Sequence, residues 1–344
     1  MRILGPFRAP HPDLEQPTCR LVDSATVGAW LPRGRGPPPP WHDDLAEPVG
    51  YLRVRLTVIG CGPAAPQADT PASGLFVESG QTAILLDCGY GVVGRLRAVA
   101  DPLGLTGVVV GHLHADHALD LAALRYLHPW PGGTAGRPAI WLPPGGRAHL
   151  TALAGVMSER ASFFDDAFDV REYDEGRPFR LGGLTITPHA TQHYVPAWAM
   201  SVIDQDGTRI VYCGDSGPTE RLAEIAHDAD LLIEEATLAS AAEDEPRRGH
   251  STADEAIAIA VQAGAARLLL THFPSARQAE LKAIAARTTA IPVEVARPGL
   301  RLDVIGQAST SAPLADPGAS SRAIRARIGA APGSSPSSRS AVRQ

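Results

Sequence analysis

The 344-residue sequence has few cysteines, few aromatic residues and no long apolar runs. Its four cysteines are scattered and form no C-x-x-C pair, so we expect reduced thiols that act as small buried hydrophobes. No run approaches the roughly 18 apolar residues that a membrane helix requires. The N-terminus lacks the basic, apolar and small-residue pattern of a secretion signal. We therefore expect a cytoplasmic protein with no membrane partner.

Excess positive charge is also missing. The formal net charge is -6, which argues against a surface that coats a polyanion, although a local basic groove is compatible with an acidic average. Hydrophobic residues make up 44% of the chain, which is enough to bury a substantial core. The composition thus favours an ordinary globular α/β protein between two polar ends.

Proline, glycine and low-complexity sequence mark both ends of the chain. Residues 1–50 include RGRGPPPPWHDD and no periodic apolar segment, so we expect an extension with little fold of its own. The tail at residues 306–344 is low in complexity and predicted to be disordered. Its arginines could contact nucleic acid or another partner, but the composition favours a solvated tail. The folded domain is therefore placed at residues 51–305.

Between these ends, strand patterns alternate with helical ones. The predicted strands are LRVRLTVIG, TAILLD, GVVV, AIWLP, LTITP, AMSVID, RIVYCGD, LLIEEA and RLLLTH. The predicted helices are GVVGRLRAVA, ADHALDLAALRYL, PTERLAEIAH and STADEAIAIAVQAG. The last has a capping-box spacing at Thr252 and Glu255 and should place Ala253, Ile257, Ala260 and Val261 on one face. Because strand–strand and strand–helix steps are mixed, this is not a simple doubly wound sheet.

A dense group of histidines follows the short strand GVVV. In GHLHADH, His112 and His114 are two residues apart on an extended segment, so they point the same way and can bind one metal ion together. Asp116 and His117 fall where the chain turns into a helix and can face a second ion. A lone histidine is usually a satisfied surface or core group, but a complete H-x-H-x-D-H after a strand indicates a metal site.

Two ions need further ligands, which we expect at other strand ends. TPHATQHYVP offers His193, with His189 as a competitor. YCGDSG presents Asp215, whose carboxylate can bridge two cations, and LLLTHFP presents His272. Each also has a structural explanation, since Asp215 could cap a turn and His272 could be a buried histidine bonded to backbone. Together, they are hard to explain by packing alone.

The order of these motifs resembles the metallo-β-lactamase superfamily, and most closely its ribonuclease Z-like branch and bacterial phosphodiesterase relatives. The resemblance runs from about Arg53 to about Leu302 and includes TVIGCGPAAP, LLDCGYG, GHLHADH, YCGDSGP, EEATL, GHSTADEA and LLLTHFP. It implies a four-layer αββα sandwich with the metal site along one edge of two facing sheets. It also implies that one zinc is held by His112, His114 and His193, and the other by Asp116, His117 and His272, with Asp215 bridging. His193 is preferred to His189 because a short turn and a strand follow it, as in the family.

The resemblance also suggests which side chains assist the chemistry. GHST makes His250 the expected proton donor for the leaving group, and EEAT places Glu235 beside it. Asp116 is expected to accept a hydrogen bond from the attacking water as well as to bind metal. Asp87 could orient a metal-binding histidine or merely cap the next helix, and the first role is preferred. Ser73 and Ser216 are further candidate polar contacts.

These expectations point to a phosphodiester hydrolase with two divalent ions, zinc or alternatively manganese. TPASGLFVES and the histidine region are similar to actinobacterial atypical cyclic-nucleotide phosphodiesterases, so a small substrate such as a cyclic nucleotide is favoured. The second reading is a ribonuclease Z-like RNA or tRNA 3′-processing enzyme. It is disfavoured because no tRNA-gripping arm is evident and an acidic segment at residues 165–175 would oppose a phosphate backbone. Third come another metallo-hydrolase, of β-lactams or thioesters, and a non-catalytic scaffold. Relatives suggest a homodimer.

Overall fold

The computed structural model describes residues 54–128, 136–158, 160–244, 246 and 248–306. The predicted N-terminal extension, the tail from residue 307 onward and Cys19 lie outside the described residues. The domain boundaries therefore stay predictions.

The described residues contain two seven-stranded sheets. The first sheet has the order β14-β1-β2-β3-β4-β5-β6. Its strands are β1 (Val54–Gly60), β2 (Gly74–Ser79), β3 (Thr82–Leu86), β4 (Gly107–Val109), β5 (Ala139–Leu142), β6 (Asp169–Glu172) and β14 (Arg301–Val304). The second sheet has the order β13-β12-β11-β10-β9-β8-β7. Its strands are β7 (Phe179–Leu181), β8 (Leu184–Ala190), β9 (Trp198–Ile203), β10 (Arg209–Tyr212), β11 (Leu231–Glu235), β12 (Leu268–Thr271) and β13 (Val293–Val295).

Each sheet is half antiparallel and half parallel. In the first, β14, β1, β2 and β3 pair antiparallel, whereas β3 to β6 pair parallel. In the second, β7 to β10 pair antiparallel and β10 to β13 pair parallel. The carboxyl ends of parallel strands meet at one edge of a sheet, which is where loops that bind ligands commonly lie.

Seven helices cover the outer faces of the two sheets in the described residues. They are α1 (Val92–Leu96), α2 (Ala115–Ala118), α3 (Leu121–Leu127), α4 (Gly146–Met157), α5 (Glu220–Ile225), α6 (Ala253–Ala263) and α7 (Gln278–Arg287). Apolar residues of α1 to α4 pack against the first sheet, and those of α5 to α7 pack against the second. None of the described helices could cross a membrane.

Alternation along the strands of the first sheet creates two separate cores. Ile84 and Leu86 of β3 face the second sheet, whereas Leu85 between them faces the helices. Successive side chains of a strand point to opposite faces, so a strand that is apolar at every position must be covered on both sides. The predicted four-layer αββα sandwich is confirmed.

The segment ADHALDLAALRYL, predicted as one helix, forms two. Helices α2 and α3 are separated by two residues, Leu119 and Asp120. The carbonyls of Asp116 and His117 accept backbone hydrogen bonds from Ser73 and Cys88 at 3.0 and 2.7 Å, and the amide of Asp120 donates to Cys88 at 3.0 Å. The helix is interrupted because the neighbouring loops take its backbone groups, which no local pattern of apolar residues reveals.

The capping box of α6 is present, with the hydroxyl of Thr252 and the carboxylate of Glu255 each bonded to the other residue's amide. The predicted buried face is partly wrong, because Val261 is 46% exposed. Ala256, Ile259 and Ala263 are buried instead, together with Ala253 and Ala260. In an alanine-rich helix several faces are nearly equally apolar, so the position of the sheet decides which one is buried.

Candidate metal centre

Polar side chains of the proposed site follow strands whose carboxyl ends lie at one edge of the two sheets. In the first sheet Asp87 follows β3 and His112 follows β4. In the second sheet Asp215 follows β10 and His272 follows β12, while His193 lies in the turn between β8 and β9. This topology brings together residues that are up to 185 positions apart in the chain, Asp87 and His272.

Three histidines and one aspartate form the first ligand group: His112, His114, His193 and Asp215. Nε2 of His112 lies 3.0 Å from Nδ1 of His114, which lies 3.3 Å from Nε2 of His193. Oδ2 of Asp215 is 3.8 Å from Nε2 of His112 and 3.9 Å from Nε2 of His193. Four potential ligand atoms therefore surround one point.

The second ligand group consists of Asp116, His117, Asp215 and His272. Nε2 of His272 lies 3.1 Å from Oδ2 of Asp116 and 3.5 Å from Oδ2 of Asp215. Nε2 of His117 lies 3.4 Å from Oδ2 of Asp116 and 3.2 Å from Oδ1 of Asp215. Asp215 belongs to both groups, so its carboxylate is placed to bridge two cations. All seven residues expected to bind metal thus converge.

His189, the competitor of His193, lies elsewhere. It sits within β8 and is not part of either ligand group. Burial and the nearby charges of Arg221 and Arg209 lower its pKa. The ring of His193 instead lies 4.9 Å from that of His112, centroid to centroid. The turn after β8, rather than the strand itself, supplies the candidate ligand.

The charges of the two groups suit cations. Burial raises the pKa of Asp215, but the charges of His117 and His272 outweigh burial and hold that pKa well below its usual range. Burial lowers the pKa of His117, but the carboxylates of Asp215 and Asp87 outweigh burial and raise that pKa, so a bound cation would have to displace a proton from this ring. Burial lowers the pKa of His112 well below 6.5, so its imidazole is neutral at neutral pH. Neutral imidazoles and ionised carboxylates are the protein ligands of zinc.

One further observation tests whether a metal fits. Oδ1 of Asp215, which is buried, has no hydrogen-bond partner among the described residues. A buried carboxylate oxygen without a partner is costly in a folded protein unless it coordinates an ion. Nε2 of His117 lies 3.2 Å from this oxygen, outside hydrogen-bond geometry, and is itself a candidate ligand atom. The donor set of nitrogen and carboxylate oxygen atoms therefore fits divalent zinc or manganese.

Asp87 holds one of the candidate ligands in position. It accepts a hydrogen bond from Nδ1–H of His117 at 2.7 Å, from the hydroxyl of Tyr212 at 2.6 Å and from the amide of Gly111 at 2.8 Å. It does not cap α1, whose N-cap is Gly91. Its φ of 62° is unusual for a residue other than glycine, and such strain clusters at functional sites. Asp87 fixes the tautomer of His117 so that Nε2 faces the site.

His272 is also held in position through the ring nitrogen that faces away from the site. Its Nδ1 lies 2.9 Å from the hydroxyl oxygen of Thr237, which in turn donates to the carboxylate of Glu235. The φ of His272 is 52°, so its side chain leaves β12 at an angle that a regular strand would not allow. Thr237 thus links a candidate metal ligand to the carboxylate expected to hold His250.

His250 and Glu235 lie directly beside the ligand groups. Nδ1–H of His250 donates to both carboxylate oxygens of Glu235, each at 3.0 Å. Burial lowers the pKa of His250, but the hydrogen bond and charge of Glu235 outweigh it and raise the pKa to about 9. The ring of His250 lies 5.0 Å from that of His193 and 5.8 Å from that of His272. A protonated imidazole therefore faces both ligand groups.

The loop that carries His250 is fixed by residues that the sequence did not reveal. The carboxylate of Asp244 accepts hydrogen bonds from the amides of Gly249 and His250 at 2.6 and 3.1 Å, and another from the hydroxyl of Tyr194. The carbonyl of Gly249 accepts a hydrogen bond from Nδ1–H of His193 at 2.8 Å. One loop thus orients both a candidate ligand and the expected proton donor.

Some of these missed residues carried a signal. Thr237 and Tyr212 stand inside the EEATL and YCGDSGP motifs, and Tyr194 directly follows His193, so all three were available to sequence reasoning, whereas Asp244 belongs to no quoted motif. Of the other polar candidates, Ser73 places its hydroxyl 3.5 Å from Nε2 of His117. Ser216 donates its amide to Glu235 at 2.7 Å.

None of the described cysteines belongs to either ligand group. Cys61, Cys88 and Cys213 are free and buried, as expected from their spacing. Burial raises the pKa of each, to about 12 for Cys61. All three are neutral thiols at neutral pH.

Comparison with known proteins gives consistent matches. A family model described as "Beta-lactamase superfamily domain" matches residues 82–273. The Mycobacterium leprae protein ML1173 is 36% identical over 227 residues, which cover 65% of this chain and 78% of that protein. A ribonuclease Z from Mycobacterium bovis is 29% identical over 276 residues, which cover 73% of this chain and 98% of that enzyme.

A solved structure supports the same fold. The probable metallo-hydrolase YhfI from Bacillus subtilis is 33% identical over 225 residues, or 64% of this chain and 87% of that protein. Its crystal structure, of a protein with the metallo-β-lactamase fold, superposes with a TM-score of 0.64. The structural alignment is 28% identical and covers 73% of this chain and 99% of the other.

Proposed function

Because this chain belongs to the metallo-β-lactamase superfamily, we propose that it is a hydrolase of phosphodiester bonds that works with two divalent metal ions, zinc in the first place. The proposed substrate is a small phosphodiester such as a cyclic nucleotide. One observation carries the proposal: two ligand groups share Asp215, and the His250–Glu235 pair lies beside both. That arrangement combines metal binding with a proton donor in one buried site.

The two ligand groups would each hold one ion. His112, His114 and His193 would hold one, and Asp116, His117 and His272 the other, with Asp215 between them. When bound, two such cations lower the pKa of coordinated water toward neutrality and offset negative charge on phosphoryl oxygens. Asp87, Thr237 and the carbonyl of Gly249 keep three of the imidazoles aimed at the site.

Asp116 would orient the attacking water. Burial raises its pKa, but hydrogen bonds from His117 and His272 outweigh burial and lower it far below its ordinary value. The carboxylate is therefore ionised throughout the neutral range and can accept a hydrogen bond from water. An ionised acceptor in a buried site holds the water's proton away from the phosphorus and leaves its lone pair free to attack.

His250 would protonate the leaving oxygen. A phosphodiester of a sugar leaves as an alkoxide, which is a poor leaving group unless it receives a proton. With its pKa raised to about 9, His250 carries that proton at neutral pH. Nδ1 is held by Glu235, so Nε2 is the nitrogen that can donate. Glu235 is itself fixed by the amide of Ser216 and the hydroxyl of Thr237.

The choice of a small substrate is supported by the interval between the histidine motif and His193. Its described residues include α3, β5, α4, β6, β7 and β8, which are parts of the two-sheet domain. Within those residues we see no arm that leaves the domain to grip an RNA. A compact substrate needs only the metal site and the groups beside it.

The acidic segment is weaker evidence against RNA than its sequence suggests. Asp165 pairs with Arg147, Asp169 with Arg171, Asp174 with Arg177 and Glu175 with Arg221. These pairs offset much of the negative charge that was expected to repel a phosphate backbone. The similarity to a ribonuclease Z over nearly the whole of that enzyme keeps RNA cleavage as the second candidate.

Turnover by the zinc-loaded full-length protein tests the proposal. We expect hydrolysis of bis(p-nitrophenyl) phosphate and of a cyclic nucleotide, and little or none of precursor tRNA, short RNA or a β-lactam. Cleavage of RNA but not of cyclic nucleotides would establish the second candidate. A protein that purifies without metal and hydrolyses none of these substrates would instead be a scaffold.

His114→Ala is the matching variant. His114 contributes Nδ1 to the first ligand group and is only half-buried, so its replacement should be tolerated by the fold. We expect loss of metal from that group and loss of bis(p-nitrophenyl) phosphate hydrolysis. His149→Ala, a histidine outside both groups, is the control. Unchanged turnover with full metal content in His114→Ala would refute the ligand assignment.

A further inference from the structure

A cavity of about 260 Å³ shares no lining residue with the two ligand groups, but its wall includes Phe273, which directly follows His272 in the chain. Its lining includes two arginines, Arg95 from α1 and Arg297 from the segment after β13. Asp69, Thr70 and Ser275 contribute polar groups to the same wall. Arg95 lies on a helix that packs against the first sheet and Arg297 follows a strand of the second, so both halves of the fold contribute to the wall.

The register of the second sheet places this cavity one strand away from His272. Strands β12 and β13 are parallel, with Leu270 opposite Val295, and the amide of Ala296 donates to the carbonyl of Leu270 at 2.8 Å. Two residues beyond that pair come His272 on one chain segment and Arg297 on the other. Strands β12 and β13 end at Thr271 and Val295, so His272 and Arg297 lie in the loops that follow neighbouring strands at the same end of the sheet.

A single loop borders both sites. At one end of residues 61–73, the hydroxyl of Ser73 lies 3.5 Å from Nε2 of His117. Near its middle, Asp69 and Thr70 line the cavity, and both contact the hydroxyl of Ser275 at 3.2 and 3.3 Å. One loop therefore contributes both to the cavity wall and to the surroundings of His117.

The charge of the lining favours an anion. Among the described residues, neither Arg95 nor Arg297 has an ion pair or a side-chain hydrogen bond, so both guanidiniums keep their donors available. Asp69 is the only acidic residue of the lining, and it accepts hydrogen bonds from the hydroxyls of Thr70 and Ser275. Cys61 in the wall is a neutral thiol. Two cations thus face one carboxylate.

We propose that this cavity binds a phosphate group next to the one that is hydrolysed. A guanidinium offers its N–H donors in a planar fork that matches phosphate oxygens, and two guanidiniums can hold one dianion from two sides. The phosphate would be either a second phosphate of the substrate or free inorganic phosphate. The first source rests on the proposed function, and would direct it toward nucleotides that carry a terminal phosphate besides the scissile diester. The second source does not depend on hydrolysis.

Protection from phenylglyoxal, which modifies accessible guanidiniums, tests the cavity without turnover. The metal-loaded protein would be treated with and without inorganic phosphate, and separately with thymidine 3′,5′-bisphosphate, and modified arginines identified by mass spectrometry. We expect either anion to slow modification of Arg95 and Arg297 severalfold. Arg97, an exposed arginine just beyond α1 and outside the cavity, should react at the same rate throughout. No protection of either cavity arginine would overturn the proposal.

Two chromogenic substrates identify the source of the phosphate. The p-nitrophenyl ester of thymidine 5′-phosphate and the same compound with an added 3′-phosphate have the same scissile bond. If the second phosphate occupies the cavity, Arg95→Gln and Arg297→Gln should each raise KM for the 3′-phosphorylated compound by about tenfold, or about 1.4 kcal/mol. KM for the other compound should stay within about twofold, and Arg97→Gln should change neither.

The outcomes separate the cavity from the proposed activity. Protection with unequal KM effects identifies a second phosphate of the substrate. Protection with equal KM effects, or in a protein that hydrolyses neither ester, identifies free phosphate as the ligand. Absence of protection refutes the cavity proposal even in a fully active phosphodiesterase.

Discussion

Replacing Glu235 by glutamine should deprive His250 of its proton at neutral pH. The carboxylate of Glu235 accepts Nδ1–H of His250 at 3.0 Å and is itself fully buried. The raised pKa of His250, about 9 against an ordinary 6.5, corresponds to roughly 3 kcal/mol in favour of the imidazolium. Glutamine keeps the size of the side chain and removes its charge. Without the charge of Glu235 to offset it, burial should lower the pKa of His250 to 6.5 or below.

The loss of this proton should depend on the leaving group. General acid catalysis contributes about 100- to 10,000-fold where the leaving oxygen needs a proton. We therefore expect Glu235→Gln and His250→Ala to lower kcat for a cyclic nucleotide by about 100-fold or more. For bis(p-nitrophenyl) phosphate, whose leaving group needs little help, the loss should be under about tenfold. Glu243→Gln makes the same charge change in an exposed turn and should alter neither substrate.

The pH profile gives a second readout of the same reasoning. A proton donor with a raised pKa works below that pKa, so turnover of the cyclic nucleotide should fall as pH rises toward about 9. Bound cations would oppose the imidazolium and move this limb to somewhat lower pH. In Glu235→Gln the limb should move toward 6.5 or below. Metal content measured on the same samples excludes loss of metal as the cause. Equal slowing of both substrates, or an unmoved alkaline limb, would refute proton donation by His250.

Three other predictions concern metal affinity and stability. Asp87→Asn should weaken zinc binding about 10- to 100-fold in a competition titration, because His117 loses the charged acceptor that orients it. Unchanged zinc affinity would mean that Asp87 serves the fold alone. Asp101→Asn, which lies outside the site, is the control. Bound metal measured after dialysis should decline below roughly pH 6, since protonated imidazoles cannot coordinate, and constant metal content well below that pH would argue against histidine ligands. Burial raises the pKa of Glu234 to about 8 from 4.5, so the folded state holds a proton that the unfolded state releases above 4.5. The stabilising contribution of Glu234 is complete below about pH 4.5 and is lost as pH rises to about 8, by about 1.4 kcal/mol per pH unit within that window. In urea unfolding, the stability of Glu234→Gln should therefore decline less steeply with pH than that of the unmodified protein. The same decline in both proteins would mean that Glu234 is ionised in the fold.

Local sequence was sufficient for the features that depend on spacing. The H-x-H-x-D-H run places ligand-type side chains at the end of β4 whatever the rest of the chain does, because alternation along an extended segment aims His112 and His114 together. The capping box of α6 is also local, since Thr252 and Glu255 are three residues apart. Asp215 and His272 could be named because each directly follows a predicted strand.

Sequence reasoning failed where the partners are far apart in the chain. Strands β2, β6, β7, β13 and β14 were not predicted. The last four are short or carry charged residues and owe their conformation to pairing with neighbours. The break between α2 and α3 follows from backbone bonds to Ser73 and Cys88, some 30 to 40 residues earlier. The acidic segment at residues 165–175 was read as a repulsive surface, but arginines from several elements neutralise much of it.

The sequence by itself determined which side chains could bind metal, since that choice needs only residue type and position relative to a strand end. Only the tertiary structure decided how they are held. Asp87 meets Tyr212 across 125 residues, and Asp244 meets Tyr194 across 50, through contacts between different sheets and loops. The tertiary structure also brought Arg95 and Arg297 to the wall of one cavity. The reason is physical: a motif records neighbours along the chain, whereas orientation, burial and pKa depend on neighbours in space.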